Sequence, residues 1–301
     1  MLKLDEKKIR KGKPIGLPYQ GSKKKISKKI VEIIKQNFGT DKPIYDIFGG
    51  GGAITAECVL NGLEVHYNDL DKDITNAFER VISQDREWIK TLIVSRDEFF
   101  EIKAKENKTT DDFLKLLVNS FGNDKKSYLY SKGVSDLKYN IAKEIIEKHD
   151  VFSGYTQTET YKRSIVKLLR LEQLERRQRF QQLEQLQQLQ QLQRLQQLQK
   201  LNKIKATNKS YHTFSDVSGA VLYLDPPYEG SHQKSYINSF DSQEFYDWAF
   251  EIAKTNIVII SSYSISDERF EVVYSFDKAH STLEGGTRND KCEKLFMVKN
   301  S

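Results

Sequence analysis

The 301-residue chain is 38% hydrophobic and 30% charged with a mean hydropathy of −0.62, a globular composition with room for one sizeable core and a smaller subdomain. No stretch is apolar for long enough to span a bilayer, and MLKLDEKKIRKGKP at the start lacks a hydrophobic signal core, so the expectation is a cytoplasmic protein without a membrane partner. Two cysteines, Cys58 and Cys292, and five scattered histidines exclude a disulfide framework and a zinc cluster, while the net charge of +6, gathered early around Lys7 to Lys13 and Lys23 to Lys29, suits either a polyanion or a solvated helix face.

In chain order, KKKISKKIVEIIKQNF sets Ile26, Ile30, Ile33 and Ile34 on one helical face. PIYDIF then reads as a strand, GGGGAITAECVL opens a helix, and EVHYNDLD is a second strand ending in acids. That is a βαβ unit, and parallel strands with crossover helices imply a doubly wound α/β sheet. Residues 85 to 165 are charged and helix-prone, interrupted at NSFGNDKKSYLYSKG, where aromatics alternate with basic residues. Such a loop suits base stacking and phosphate contact, and equally a helical subdomain with a tyrosine-rich core.

From Ile165 to Ile204 every third residue is apolar apart from Arg177, with Gln, Glu, Arg and Lys as the filler. The composition predicts a helix. A period of three nevertheless drifts about 60° per triplet on an α-helix, so no single face stays apolar. A protruding arm, a self-association element through residues 165 to 204 and a repeat of unconstrained length all fit. AVLYLDPP, NIVIISSYS, FEVVYSF and EKLFMVKN then return as strands, with SQEFYDWAFEIAKT an amphipathic helix between the first two. The expected organisation is a split α/β domain at 1–84 and 206–301, an insert at 85–164 and a Leu/Gln triplet repeat at 165–205.

Three stretches of the α/β part carry chemistry. DIFGGGGAI puts Asp46, Phe48 and Gly50 to Gly52 at a strand-to-helix turn, where missing side chains let a ligand approach backbone amides. YNDLD puts Asp69 at the end of the next strand, where an acid can accept ribose hydroxyls, with Asp71 a helix cap. In YLDPPYEGS, Pro226 and Pro227 stiffen the exit of an apolar strand and hold Asp225 and Tyr228 at its carboxyl end. Each stretch alone also has an ordinary structural reading as a turn, a cap or a strand exit.

Together, and in this order, they resemble the Dam-like (class alpha) DNA adenine-N6 methyltransferases of the phage and bacterial branch. The resemblance runs through PYQGSK at 18 to 23, DIFGGGGAIT, YNDLD, SFGNDKKSYLYSK, YLDPPYEGS, FYDWA and EKLFMVKN. It implies a Rossmann-like S-adenosylmethionine-dependent sheet with an inserted, mainly helical target-recognition segment. It also implies that Tyr19, Gly21 and Lys23 close over the methionine end of the cofactor, that Phe48, Gly50 and Gly52 line it beside Asp46, and that Asp69 is its partner acid. Asp225, Pro226, Pro227 and Tyr228 match the catalytic tetrapeptide, with Asp225 bordering the cofactor as well. Phe121, Asn123, Lys125, Lys126 and Tyr128 are the candidates for contact with double-stranded DNA. No metal is expected. A restriction endonuclease, where one exists, would be a separate protein. The competing expectations are methylation of another planar amine, such as cytosine N4, RNA adenine or a protein glutamine, and an inactive DNA-binding or self-associating scaffold.

Overall fold

A computed structural model describes residues 1–19, 21–166, 182–198, 201, 203–229, 240–276 and 292–299. Its elements begin with α1 (Ser27–Phe38), β1 (Ile44–Asp46), α2 (Ala53–Leu60), β2 (Val65–Tyr67) and α3 (Lys72–Ser83). They continue with α4 (Arg86–Lys90), α5 (Arg96–Ala104), α6 (Thr110–Val118), α7 (Ser135–His149) and α8 (Glu184–Gln196). β3 (Val221–Leu224), α9 (Ser242–Ile252), β4 (Ile257–Ser262), β5 (Phe270–Ser275) and β6 (Lys294–Val298) complete the series. Two compact units divide the chain, one formed by Met1–Pro14, Lys23–Thr75 and Ile204–Ser301, the other by Ile15–Ser22 and Asn76–Lys203.

The first unit is a six-stranded sheet in the order β2-β1-β3-β4-β6-β5. β1, β2, β3 and β4 pair in parallel, while β6 runs antiparallel to both β4 and β5. The sheet is therefore mixed, because β5 and β6 follow one another as an antiparallel pair that needs no crossover helix. β3 is central and buried at all four residues, as its unbroken VLYL run requires. α1 buries Ile30, Val31, Ile33 and Ile34 and stops at Gly39, whose φ of 85° lies in the left-handed region. α9 starts at Asp241, whose carboxylate accepts from the amides of Gln243 and Glu244, and drives Phe245, Trp248 and Ala249 against Leu222, Leu224 and Ile260.

The second unit is helical. Ser95 caps α5, and Thr109 with Asp112 forms a complete capping box on α6. Its core gathers Val94, Phe99, Ile102, Leu116, Tyr128, Tyr130 and Val134. α8 explains the triplet leucines. Leu186, Leu189, Leu192 and Leu195 are each 0% exposed, and the helix packs against α4, α6 and α7. A stripe that sweeps around the helix axis is tolerated because neighbours stand on several sides, so the leucines need no single apolar face. These leucines are thus core residues of their own unit, which corrects the expectation of an arm or a self-association surface for this part of the repeat. Residues 167–181 of the repeat lie outside the described residues.

Candidate active site

From β1 the chain turns to one side for β2 and reaches the other side only at β3, so strand order reverses between β1 and β3. Carboxyl ends that diverge in this way open a crevice above the sheet. Asp46 ends β1, Asp69 follows β2 and Asp225 follows β3, which brings three carboxylates to that edge.

The glycine turn is built into the exit of β2. The Gly49 amide donates to Asn68 O at 2.8 Å, the Tyr67 hydroxyl to Gly50 O at 2.8 Å, and the Gly50 amide to Asp69 Oδ2 at 2.7 Å. A Cβ on Gly49 would stand 2.4 Å from the Tyr67 ring, while Gly50 and Gly52 hold φ of 47° and 70°. One glycine is therefore needed for close approach and two for left-handed backbone. Asp69 ties the turn from the other side, with Oδ1 accepting from the Asp71 amide at 2.8 Å, so each oxygen keeps one lone pair for a ligand. Asp71 caps α3 as expected, accepting from the amides of Asp73 and Ile74.

Burial sets the charge state of these acids. Asp46, 1% exposed, is lifted to about 7, first by burial and then by the charges of Asp225 and Asp69, against the pull of the Thr55 hydroxyl and amide on Oδ2. Asp69 is lifted to about 6, again mainly by burial, with the amides of Asp71 and Gly50 opposing. Phe48 joins an aromatic wall, with ring centroids 5.7 Å from Phe245, 6.1 Å from Tyr211 and 6.3 Å from Phe240.

At the strand exit, Lys23, in the turn before α1, donates to Asp225 Oδ1 at 2.7 Å and to Tyr228 Oη at 2.5 Å. Tyr228 in turn donates to Glu293 Oε1 at 2.7 Å, which also accepts from Ser261 Oγ at 2.7 Å. The side chains of Lys23, Asp225 and Glu293 are only 12%, 17% and 14% exposed. Burial pulls the Lys23 ammonium down, but the charges of Asp225 and Glu293 outweigh it and hold it above its ordinary value. Asp225 sits above the usual carboxylate range, because burial and the Glu293 charge together exceed the pull of Lys23. Burial, then the charges of Asp225 and Glu293, push the Tyr228 hydroxyl well up. The Tyr263 ring meets Tyr228 edge-on at 4.7 Å and is 37% exposed. Pro226 is buried and Pro227 half-buried, so the arm carrying Tyr228 is packed as well as stiff.

Residues 19–284 match the family described as D12 class N6 adenine-specific DNA methyltransferase. The chain belongs to that family. It is an adenine-specific DNA methyltransferase using S-adenosylmethionine, which decides for adenine in DNA over the other planar amines. A search of curated proteins found no match. The chemistry of the edge suits a positively charged cofactor: buried Asp46 and half-buried Asp69 and Asp225 raise one another's affinity for protons, and the glycine turn leaves backbone bare beside them.

The first unit of the methyltransferase brings Lys23, Asp46, Phe48, Gly50, Gly52, Asp69, Asp225, Pro226, Pro227 and Tyr228 to one edge, whereas Tyr19 and Gly21 belong to the second unit. In the second unit Phe121 is 46% exposed and Lys126 is exposed. Asn123, at φ 58°, spends its amide on Leu117 O at 2.9 Å, and Lys125 lays its ammonium 4.4 Å from the centre of the Phe113 ring. Tyr128 is a correction. It is 6% exposed and donates to Val94 O at 2.8 Å, so it builds the helical core rather than a DNA-facing surface. Glu293, Ser261 and Tyr263 were not singled out from the sequence. The only sign of Glu293 was its place at the head of the closing strand in EKLFMVKN.

Proposed function

We propose that the first unit performs the transfer with Asp225 and Pro226 as the groups that hold the adenine amine, and Tyr228 and Lys23 as the groups that hold them. The nitrogen of an adenine amino group is a poor nucleophile because its lone pair is delocalised into the ring. The free oxygen of Asp225, Oδ2, and the Pro226 carbonyl can accept its two N–H bonds and favour a pyramidal nitrogen with the lone pair aimed away from both. Lys23 on Oδ1 stops the carboxylate from rotating, and the prolines stop the carbonyl from swinging. Bound S-adenosylmethionine supplies an electrophilic methyl on a positively charged sulfur that leaves as a neutral thioether. The methylated amine then carries a positive charge until it loses one N–H proton, and Asp225 Oδ2 is the acceptor at hand. Its raised affinity for protons makes it a stronger base than a solvated aspartate.

Asp46, Phe48, Gly50, Gly52 and Asp69 form the cofactor side of this reading. The second unit is the target-recognition body, with exposed Phe121 and Lys126 as its best-supported DNA contacts. The target base must leave the duplex to reach Asp225. The observation that carries the reading is the largely shielded Lys23–Asp225 pair at the strand-order reversal, its side chains 12% and 17% exposed, immediately before two prolines. Unmethylated genomic DNA incubated with the protein and S-adenosylmethionine, read by single-molecule sequencing, should gain N6-methyladenine at one short motif. Asp225→Ala should yield none while still binding the cofactor. Normal turnover by that variant refutes the assignment.

A further inference from the structure

We propose that Glu293 is a positioning residue of the transfer site, fixing the Tyr228 hydroxyl and the Lys23 ammonium so that Asp225 meets the amine in one orientation; this rests on the role of Asp225 given above. Glu293 stands beyond residue 284, where the family match ends. It reaches the site only because β6 is antiparallel: with Ser261 opposite Leu295 and Ser262 opposite Lys294, the amino end of β6 lies at the carboxyl end of β4. A residue just ahead of β6 is thereby delivered to the edge where Asp225 emerges.

The direction of the hydrogen bonds follows from the donors available. Lys23 donates into Tyr228 Oη, so the single Tyr228 proton must point to an acceptor. Asp225 Oδ1 lies 3.3 Å away and Glu293 Oε1 2.7 Å, so the proton goes to Glu293. Ser261, 0% exposed on β4, holds the same carboxylate oxygen from the sheet side. The Glu293 carboxylate also lies 3.9 Å from the Lys23 ammonium, which therefore stands between two acids. Asp225 is faced by Lys23 from the turn before α1, Tyr228 from its own arm, Glu293 from the residue just ahead of β6, Asp46 and Asp69 from the exits of β1 and β2, and Tyr223 from β3. Replacing Glu293 by Gln keeps an acceptor and the size but deletes one negative charge.

The test is steady-state kinetics of the full chain on unmethylated duplex DNA for Glu293→Gln, Tyr228→Phe and the double variant, with wild type and Asp225→Ala alongside. Loss of a charged hydrogen bond at a buried site lowers kcat by about tenfold to a hundredfold, and that is the drop expected for Glu293→Gln with KM for S-adenosylmethionine unchanged. The acid limb of its kcat profile should move to lower pH, because Asp225 ionises more readily without a neighbouring negative charge. In the Tyr228→Phe background the same substitution should lower kcat by a smaller factor than in wild type, since the hydroxyl link is already gone and only the contact with Lys23 remains. A wild-type kcat and acid limb in Glu293→Gln, or effects that multiply fully in the double variant, overturn the proposal. If Glu293→Gln no longer binds the cofactor, Ser261→Ala carries the test: kcat reduced at unchanged KM supports the role, and unchanged kcat refutes it. Turnover by Asp225→Ala would instead sink the reading of the site itself.

Discussion

Replacing Lys23 by Met keeps the length of the side chain and removes the cation between two carboxylates. The ammonium lies 2.7 Å from Asp225 Oδ1 and 3.9 Å from Glu293 Oε1. At an effective dielectric of about 20 these separations correspond to roughly 6 and 4 kcal/mol of attraction before the cost of burying the charges. Removing one partner of a buried pair costs about 3–5 kcal/mol net. Asp225 relieves that cost by taking up a proton, since burial and Glu293 already favour its neutral form. A protonated Asp225 offers no strong acceptor to the amine. At about 1.4 kcal/mol per factor of ten, the ionised fraction falls by up to roughly 10²–10⁴-fold, and kcat at neutral pH should fall with it. Rate should then recover as pH rises, about tenfold per unit, over a range where the wild-type profile has levelled off. The assay is transfer of a labelled methyl group to unmethylated duplex DNA from about pH 6 to 9.5, with cofactor binding measured in parallel. The acid limb moves up in Lys23→Met and down in Glu293→Gln, because the two substitutions delete opposite charges beside one carboxylate. A Lys23→Met enzyme with wild-type rate and an unmoved acid limb would refute the reasoning.

Asp46 binds its proton up to about pH 7 in the folded chain, against an ordinary 3.8, so its contribution to stability is full below the lower value and lost as pH rises to the upper one. Asp46→Asn should therefore raise the thermal unfolding midpoint by several degrees near pH 8, reflecting up to about 4 kcal/mol, and leave it unchanged near pH 4; equal midpoints at both would contradict a buried, destabilised carboxylate. Gly49→Ala would set a Cβ 2.4 Å from the Tyr67 ring and 3.1 Å from Asn68 O, and since Tyr67 is 1% exposed neither can give way. The expected cost is about 1–3 kcal/mol by denaturant unfolding, with weaker cofactor binding by calorimetry. Lys126→Ala should lower the slope of log DNA affinity against log salt by about one, whereas Tyr128→Phe should leave DNA affinity alone and cost about 0.5–1.5 kcal/mol of stability through the lost bond to Val94 O.

Much of this architecture was legible in the sequence. Hydrophobic periodicity and the positions of Gly and Pro are short-range properties, so α1, the β1–α2–β2 unit, β3 with its proline exit, α9 and the closing strands could all be read before any fold was known. The acids at strand ends and the glycine turn were legible for the same reason, since a carboxylate after an apolar run is a local pattern. Three things depended on tertiary structure. The triplet leucines made sense only when α4, α6 and α7 stood around α8, because burial depends on neighbours and not on period. Tyr128 reads from its neighbours as a basic-loop aromatic, yet the bond to Val94 and the packing of the helical core take it inside. Glu293 joined Lys23, Asp225 and Tyr228 through the antiparallel pairing of β6 with β4, a long-range choice of strand direction on which the local pattern of EKLFMVKN is silent. The sequence by itself determined which chemistry the chain carries, and the tertiary structure decided which charges share one buried site and so set one another's protonation.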